Sequence, residues 1–312
     1  MKTGKTDVSI IIPARNEADN IAACLKAILN QETDLSVEII LIDSGSTDDT
    51  GEIVKQFPAV KLITIKPEEF GHGKTRNLGA GHSKGDYIVF LNADAIPADK
   101  NWLHPLIGNL HDDKKKATAG VYSRHVPKKG CHLYMARDIL KSMPEHRFVT
   151  DRSKYFDFMI FSTVSCAVRR EIWQRFPFAE RIVIAEDQDW AKRVLDEGFK
   201  IVYEPGSQVY HSHNYSLNEL FAIKRRIGGT ERKFKNRFCA ATVGFLLIVG
   251  RIVIKTAGDI LFILFRRKRR SEGEYTEGMT PLQKLKQIPI AVAARVVSFA
   301  GRYRGWTGGK YE

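Results

Sequence analysis

Strands and helices alternate through the first hundred residues, and this alternation restricts the chain to a few folds. Short apolar runs of five or six residues recur, separated by segments with helical spacing, of which 18–29 is the longest. Strand–helix–strand units of this kind form a parallel sheet with right-handed crossovers. The sequence therefore predicts an α/β fold. The strands of this region are predicted at residues 8–12, 37–42, 60–65 and 87–91.

The charge of the chain is concentrated in its last third. Residues 224–312 carry a net charge of +14, whereas the other 223 residues carry a net charge of −1. The basic residues are interleaved with aliphatic runs and not with stacking aromatic side chains, so we expect no nucleic-acid partner. The four cysteines form no CxxC pair, which excludes a cysteine-rich zinc site or a disulfide framework and indicates a reducing compartment.

Polar side chains follow the predicted strands at the points where ligands bind in open α/β sheets. Asn92 and Asp94 follow the fourth strand, and a carboxylate there can hold a divalent cation against a phosphate. The alternative is a turn or cap aspartate. Asp43, at the end of the second strand, is placed to accept a hydrogen bond from a uracil or thymine ring. Pro13 is predicted to break the first strand, and Arg15 then lies near a nucleotide.

The segment 71–77 contains the tripeptide Gly-Lys-Thr and invites comparison with a phosphate-binding P-loop. That pattern requires a glycine at the position of Glu68, and it normally follows the first strand, whereas this segment follows the third. A P-loop is therefore excluded. A flexible glycine loop carrying Lys74 and Arg76 can still clamp a diphosphate through charge-assisted hydrogen bonds.

Two clusters of titratable residues lie further along the chain. Glu186, Asp187 and Asp189 open a predicted helix. Acidic residues stabilise a first helical turn by themselves, but three in four positions exceed what capping needs, and one of them can act as a general base. His211 and His213 point to opposite faces if the chain there is extended. One of them can then join the carboxylate that follows the fourth strand as a metal ligand.

Taken together, these segments resemble family 2 glycosyltransferases, and most closely their bacterial rhamnosyltransferase-like branch. The resemblance extends from residue 8 to about residue 221. It implies the GT-A fold of nucleotide-diphospho-sugar transferases, with a Rossmann-like, mixed, mostly parallel sheet flanked by helices. Each segment is weak alone, whereas their common order and spacing are highly specific. The segments are 9–17, 43–48, 70–79, 185–191 and 210–216.

The resemblance also implies roles for individual residues. Asp187 matches the catalytic base, and Asp94 matches the last carboxylate of the Asp-x-Asp metal motif. His211 matches a residue near the metal and the diphosphate. The implied cofactor is Mg²⁺ or Mn²⁺. The implied substrate-binding residues are Pro13, Ala14, Arg15, Glu17, Asp43, Gly73, Arg76, Asn92, Ala93 and Glu186.

Two positions depart from the family pattern. Asn92 stands at the first position of the metal motif and removes one anionic ligand, so we expect poor metal affinity in the absence of the donor. Ser165 stands where the rhamnosyltransferase-like branch often has asparagine, which bears on the choice of acceptor or sugar.

The implied activity is transfer of a sugar, with inversion, from a nucleotide-diphospho-sugar to a hydroxyl of a glycan or lipid-linked acceptor in cell-surface polysaccharide synthesis. The branch suggests rhamnose from dTDP-rhamnose. An alternative is a polyprenyl-phosphate glycosyltransferase of the dolichol-phosphate-sugar synthase type. A catalytically inactive protein that binds nucleotide sugars at a membrane is a third reading.

The basic tail predicts a separate extension. Residues 1–222 are predicted to form the catalytic domain, with a nucleotide-sugar half at about 1–97 and an acceptor half at about 98–222. Residues 223–312 are predicted to form amphipathic helices. Arg251, Lys255 and Asp259 form one polar stripe between apolar runs, which is typical of a helix that lies in a membrane interface.

These features place the protein at the cytoplasmic face of an anionic membrane, as a peripheral or monotopic protein, with the basic run 266–270 against the lipid headgroups. The alternative is a helical pair packed on the catalytic domain or on another subunit. The sequence leaves a homo-oligomer open.

Overall fold

The computed structural model describes residues 6–113, 117–154, 161–234, 243–265 and 275–307. The chain divides into two compact units, of which the first comprises Met1–His125 and Met143–His211. The second comprises Val126–Ser142 and Ser212–Glu312. This division differs from a single boundary at residue 222, because a segment from the middle of the chain groups with the C-terminal helices.

The first unit is built on a single mixed sheet. The described residues form nine strands, which are β1 Val8–Ala14, β2 Val37–Asp43, β3 Val60–Thr64, β4 Tyr87–Leu91, β5 Ile96–Pro97, β6 Thr118–Val126, β7 Phe148–Thr150, β8 Ser165–Arg169 and β9 Lys200–Tyr210. Their spatial order is β3-β2-β1-β4-β8-β6-β9-β5, with β7 paired to β9. The first four of these strands in space are parallel, and β8 then runs antiparallel to β4.

Helices cover both faces of this sheet. Ile10 and Ile12 of β1 face one apolar cluster, whereas Ile11 faces the other, as the two-residue period of a strand requires. The strands therefore read as continuous apolar runs in the sequence. The helices of the first unit are α1 Ala18–Leu29, α2 Thr50–Lys55, α3 His72–Gly81, α4 Leu103–His111, α6 Arg170–Arg175 and α7 Glu186–Asp196, and α5 Leu133–Ser142 belongs to the second unit.

The structure confirms the predicted alternation but moves two boundaries that matter for the site. Strand β1 continues through Pro13 to Ala14, and Pro13 pairs in register with Ile42 of β2, so this proline does not break the strand. The glycine segment is not a flexible loop. Helix α3 already begins at His72, and Lys74 and Arg76 therefore project from its first turns.

The second unit is helical. Its apolar cluster includes Leu133 and Tyr134 of α5, and Arg295 reaches Asp259 and Asp138 through Nε–Oδ2 and Nη1–Oδ2 distances of 2.6 and 2.5 Å. No helix in the described ranges is both long enough and apolar enough to cross a bilayer. The remaining helices are α8 Leu217–Phe234, α9 Val243–Phe265, α10 Pro281–Leu285 and α11 Gln287–Thr307.

Helices α8 and α11 pack at very short range. A Cβ atom added to Gly301 would lie 2.6 Å from the carbonyl oxygen of Phe221, and one added to Gly305 would lie 2.2 Å from that of Arg225. Glycine is therefore required for this backbone-to-backbone approach. The basic run 266–270 and part of the predicted apolar run 238–250 lie outside the described residues.

Candidate functional site

The carboxyl ends of β1, β2 and β4 meet at one edge of the sheet because the three strands are parallel. Asp43 ends β2 and is buried. The backbone N–H and the hydroxyl of Ser46 both donate to Asp43 Oδ1, at 3.1 and 2.5 Å. The carboxylate predicted to meet the nucleotide base is thus held in place by its own loop.

The segment after β1 is tied to the same loop. The backbone N–H of Asn16 donates to Ser46 Oγ at 2.9 Å, and Asn16 Oδ1 accepts from the N–H of Thr47 at 2.8 Å. Asn16 has a φ of +55°, a left-handed conformation that asparagine tolerates better than most residues. The N–H of Glu17 donates to Thr50 Oγ1 at 2.7 Å. The two strand ends therefore form one connected loop pair.

The remaining predicted contacts of this segment differ in exposure. Ala14 is buried, Pro13 is half-buried, and Arg15 is exposed at the ligand-facing edge. Arg15 is thus the side chain of this segment that is open to a charged group from solution.

The end of β4 is occupied by three short residues, Asn92, Ala93 and Asp94. Ala93 is buried, and Asn92 Oδ1 accepts a hydrogen bond from Arg76 Nη2 at 2.9 Å. The side-chain amide of Asn92, at the first position of the metal motif, is therefore directed to the guanidinium group of Arg76. Asp94 lies within 3.4 Å of His211, measured between Oδ2 and Nε2.

Asp94 and His211 form a pair of donors suited to a divalent cation. Both side chains are mostly buried, and two neighbouring ligands of an octahedral ion with bonds of about 2.1 Å lie about 3 Å apart. The 3.4 Å separation is close to that value. A carboxylate oxygen with an imidazole nitrogen suits Mn²⁺ better than Mg²⁺, which prefers oxygen ligands. The residues present therefore fit the implied metal.

His125 completes this neighbourhood from β6. Its ring centroid lies 5.5 Å from that of His211, in an edge-to-face arrangement. Burial, together with the adjacent imidazole of His211, lowers the pKa of His125 to about 3, so the ring is neutral at physiological pH. Sequence reasoning missed this residue, because β6 and β9, which bring the two histidines together, are neighbours only in the folded sheet.

Arg76 lies in a buried ion pair. Its Nη1 atom lies 2.7 Å from Glu186 Oε1, and both side chains are about 95% buried. The same atom donates to the carbonyl oxygen of His72 at 3.1 Å. Arg76 thus has three protein acceptors, from α3, α7 and the end of β4, and its place near the nucleotide stays a prediction.

The three acids that open α7 have different surroundings. Glu186 pairs with Arg76, and Asp189 Oδ2 pairs with Arg193 Nε at 2.8 Å on the same helix. Burial and the neighbouring Glu186 carboxylate raise the pKa of Asp187 to about 6, while Arg76 acts in the opposite direction. A base with a pKa just below neutrality is ionised at physiological pH and still accepts protons readily. Asp187 thus differs from Glu186 and Asp189, which each form an ion pair with an arginine, in having a raised pKa.

The backbone at this point is strained. Ala185, immediately before α7, has a φ of +75°. Non-glycine residues occupy this region at an energetic cost, and they cluster at functional sites.

Gly73 has a packing role. A Cβ atom added there would lie 2.8 Å from the carbonyl oxygen of Ala179, so only glycine permits this approach. Lys74, the next residue, is exposed.

Ser165 lies in the core. Its hydroxyl accepts from Trp102 Nε1 at 3.0 Å and lies 2.7 Å from the hydroxyl of Ser123. It is fully buried, so its identity is explained by this network.

Comparison with known proteins places the chain in a family. The model of "Glycosyl transferase family 2" matches residues 9–176, which is more than half of the chain. The chain belongs to glycosyltransferase family 2. The matched region includes the ends of β1, β2 and β4, and the residues around Asp187 and His211 follow it.

Among the relatives of this family 2 member are two O-antigen chain rhamnosyltransferases. WbaN of Salmonella anatum is 31% identical over 202 residues, which cover 61% of each chain. RfbN of Salmonella typhimurium is 29% identical over 225 residues, or 69% of each chain. The match to WbaN thus spans less than two thirds of that protein. Both confirm the resemblance to the rhamnosyltransferase-like branch.

A solved structure confirms the fold. The mannosyltransferase PcManGT from Pyrobaculum calidifontis, in complex with GDP-Man and Mn²⁺, superposes with a TM-score of 0.59 at 17% identity. The superposition covers 99% of this chain and 89% of that one. The predicted GT-A fold, a mixed and mostly parallel sheet flanked by helices, is therefore correct.

Proposed function

We propose that this protein transfers a sugar, with inversion, from a nucleotide-diphospho-sugar to a hydroxyl of a glycan or lipid-linked acceptor in cell-surface polysaccharide synthesis. The observation that carries the proposal is that the three acids of α7 differ in their ion-pair partners and in their pKa. Glu186 and Asp189 are engaged by Arg76 and Arg193, whereas Asp187 has a raised pKa. An acid of this kind, at a site of family 2 geometry, is a general base.

The proposed step follows from the position of that base. Asp187 removes the proton of the acceptor hydroxyl while the oxygen of that hydroxyl forms a bond to C1 of the donor sugar. The bond from C1 to the diphosphate oxygen breaks at the same time, and the nucleoside diphosphate leaves with the electron pair. A single displacement of this kind inverts C1, through a transition state with oxocarbenium character as in glycoside hydrolysis.

A divalent cation, when bound, would neutralise the charge that develops on the leaving diphosphate. Asp94 and His211 would hold it, and their donor set favours Mn²⁺ over Mg²⁺. Since Asn92 is neutral and is directed to Arg76, the protein contributes a single carboxylate there, and donor oxygens are needed to complete the coordination.

Rhamnose from dTDP-rhamnose is the proposed donor. The two Salmonella relatives support this choice through their assignment as O-antigen chain rhamnosyltransferases. The mannosyltransferase with the same fold carries GDP-Man, so the fold by itself does not select the sugar. Asp43, fixed by Ser46 at the end of β2, is the proposed contact to the nucleotide base.

A lipid-phosphate acceptor, as in enzymes of the dolichol-phosphate-sugar synthase type, is not favoured by these relatives. An inactive sugar-nucleotide-binding protein remains the competing reading, and it predicts donor binding without turnover.

The test is release of nucleoside diphosphate from a panel containing dTDP-rhamnose, UDP-glucose and GDP-mannose, with Mn²⁺, with Mg²⁺ and with EDTA. Octyl glycosides of galactose, mannose and N-acetylglucosamine serve as acceptors.

Asp187→Asn should lower turnover by about 10²-fold or more with nearly unchanged donor binding. Asp189→Asn, two residues further along α7 and paired with Arg193, is the matched control and should retain activity. Normal turnover by Asp187→Asn would refute the assignment, and donor binding without turnover by the unmodified protein would favour the inactive reading.

A further inference from the structure

Helix α9 presents an apolar stripe to solvent. Ile254 and Phe265 are 72% and 73% exposed, and three more large apolar side chains are exposed between or beside them. At 3.6 residues per turn, the five positions fall within an arc of about 120° on one side of the helix. We call this set the α9 stripe. Its members are Val253, Ile254, Leu261, Leu264 and Phe265.

The opposite side of α9 carries the buried charge. Asp259 is fully buried, with Oδ2 2.6 Å from Arg295 Nε and Oδ1 2.9 Å from Arg137 Nη1. Arg295 in turn pairs with Asp138 of α5. These ion pairs set the rotation of α9 about its own axis, because turning the α9 stripe inward would carry Asp259 out of reach of both arginines.

This arrangement differs from that of an ordinary surface helix, which turns its large apolar side chains away from water. It also corrects the simple sequence pattern, since Asp259 was predicted to share an exposed polar stripe with Lys255 and is directed into the protein. The side chain of Arg251 lies outside the described residues. Exposed apolar residues continue on the two helices that follow, namely Leu282, Leu285, Val292 and Val296. Apolar surface concentrated in this way marks an interaction site.

The charge of the region identifies the kind of partner. Residues 224–312 carry a net charge of +14, and in the sequence the α9 stripe is followed directly by five basic residues, 266–270. A second copy of the chain would bring the same positive charge to the contact and be repelled. An anionic lipid surface offers both an apolar layer and negative headgroups.

We propose that the α9 stripe lies in the boundary between headgroups and acyl chains of an anionic bilayer, which the net charge of +14 of residues 224–312 attracts. The helix lies along the surface, since its other side is occupied by the Asp259 ion pairs. This is the geometry of an interfacial amphipathic helix, in which affinity depends on both apolar area and electrostatic attraction. It makes the protein peripheral, and it does not depend on the proposed transferase activity.

The test is flotation of the full-length protein with two kinds of vesicle, phosphatidylcholine alone and phosphatidylcholine with 30% phosphatidylglycerol. We expect binding to the anionic vesicles, weakened at high salt, and a loss of at least about tenfold in Ile254→Asp/Phe265→Asp. Leu29→Asp is the matched control, because Leu29 is an exposed leucine at the end of α1. Circular dichroism melts should be unchanged, since the substituted side chains are exposed.

Equal binding of Ile254→Asp/Phe265→Asp and the unmodified protein would overturn the proposal. So would an equal loss in Leu29→Asp, or binding that does not depend on phosphatidylglycerol. If no vesicle binds and the double variant instead dissociates an oligomer in light scattering, the α9 stripe is a contact between copies. Because no donor or acceptor is present, the result is independent of the transferase assay.

Discussion

Arg76 and Glu186 are 110 residues apart in the sequence and form a buried ion pair with an Nη1–Oε1 distance of 2.7 Å. The same guanidinium donates to Asn92 at the end of β4. Glu186 immediately precedes Asp187, and Asn92 lies two residues before Asp94. The pair therefore connects the helix that carries the proposed base to the strand that carries the proposed metal ligand. We regard Arg76 as a positioning residue.

Removing Arg76 should destabilise the protein strongly. Arg76→Met leaves Glu186 buried without its partner, and loss of one member of a buried pair costs about 3–5 kcal/mol in the free energy of unfolding. Arg175→Ala, which removes an exposed pair with Glu197, is the control and should cost at most about 1 kcal/mol. Urea unfolding measures both. Equal losses would show that the Arg76 pair contributes no more than a surface contact.

The raised pKa of Asp187 predicts an effect on stability. Its folded-state pKa of about 6 exceeds the ordinary value of 3.8, so the ionised carboxylate destabilises the folded state at neutral pH. Asp187→Asn should therefore raise the free energy of unfolding at pH 7.5, by on the order of 1–3 kcal/mol. The gain should shrink as the pH falls through 6 and vanish below about 4. A gain that is constant across this range would contradict the shift.

The same group predicts the acid limb of the rate profile. A base must be ionised, so kcat/KM should fall about tenfold per pH unit below a midpoint near 6. Arg76→Lys keeps a positive charge beside Glu186 but loses the second guanidinium nitrogen, which donates to Asn92. This substitution should therefore displace the midpoint of the pH profile. Transfer rates between pH 5 and 8 provide the measurement. A midpoint near 4 in the unmodified protein would show that Asp187 is not the group observed.

Metal binding should depend on the nucleotide. Because one carboxylate and one imidazole are the proposed protein ligands, Mn²⁺ should bind weakly alone and at least about tenfold more tightly with dTDP or UDP present. Titration calorimetry with and without nucleotide tests this. His211→Ala should reduce the nucleotide-dependent binding, whereas His82→Ala, at the exposed end of α3, should not. Tight Mn²⁺ binding to the nucleotide-free protein through Asp94 would be inconsistent with this site.

The second unit should depend on Asp259. Asp259→Ala leaves Arg295 buried among fewer acceptors, and we expect a loss of about 3–5 kcal/mol in the stability of this unit. Glu277→Ala removes an exposed pair with Lys129 and is the matched control. Thermal unfolding followed by circular dichroism, with limited proteolysis of the helical unit, gives the comparison. Indistinguishable melting of the two variants would argue against a structural role for the buried pair.

Much of the architecture follows from local patterns. The bounds of α1 agree with the predicted 18–29, and β4 agrees with the predicted 87–91. The short polar residues after the parallel strands indicated the ligand-facing edge of the sheet, because the carboxyl ends of parallel strands meet in space. Periodicity and turn residues are properties of neighbouring positions, so a single sequence is sufficient to reveal them.

The partners of the charged residues required the tertiary structure. Nothing in the sequence joins Arg76 to Glu186, Ser165 to Trp102, or Asp259 to Arg137, because each pair is 60 or more residues apart. The same holds for the rotation of α9, whose hydrophobic period predicts two faces but not which one is buried. A buried charge is stable only beside its counter-ion. The positions of distant arginines therefore decided which side of this helix faces the protein.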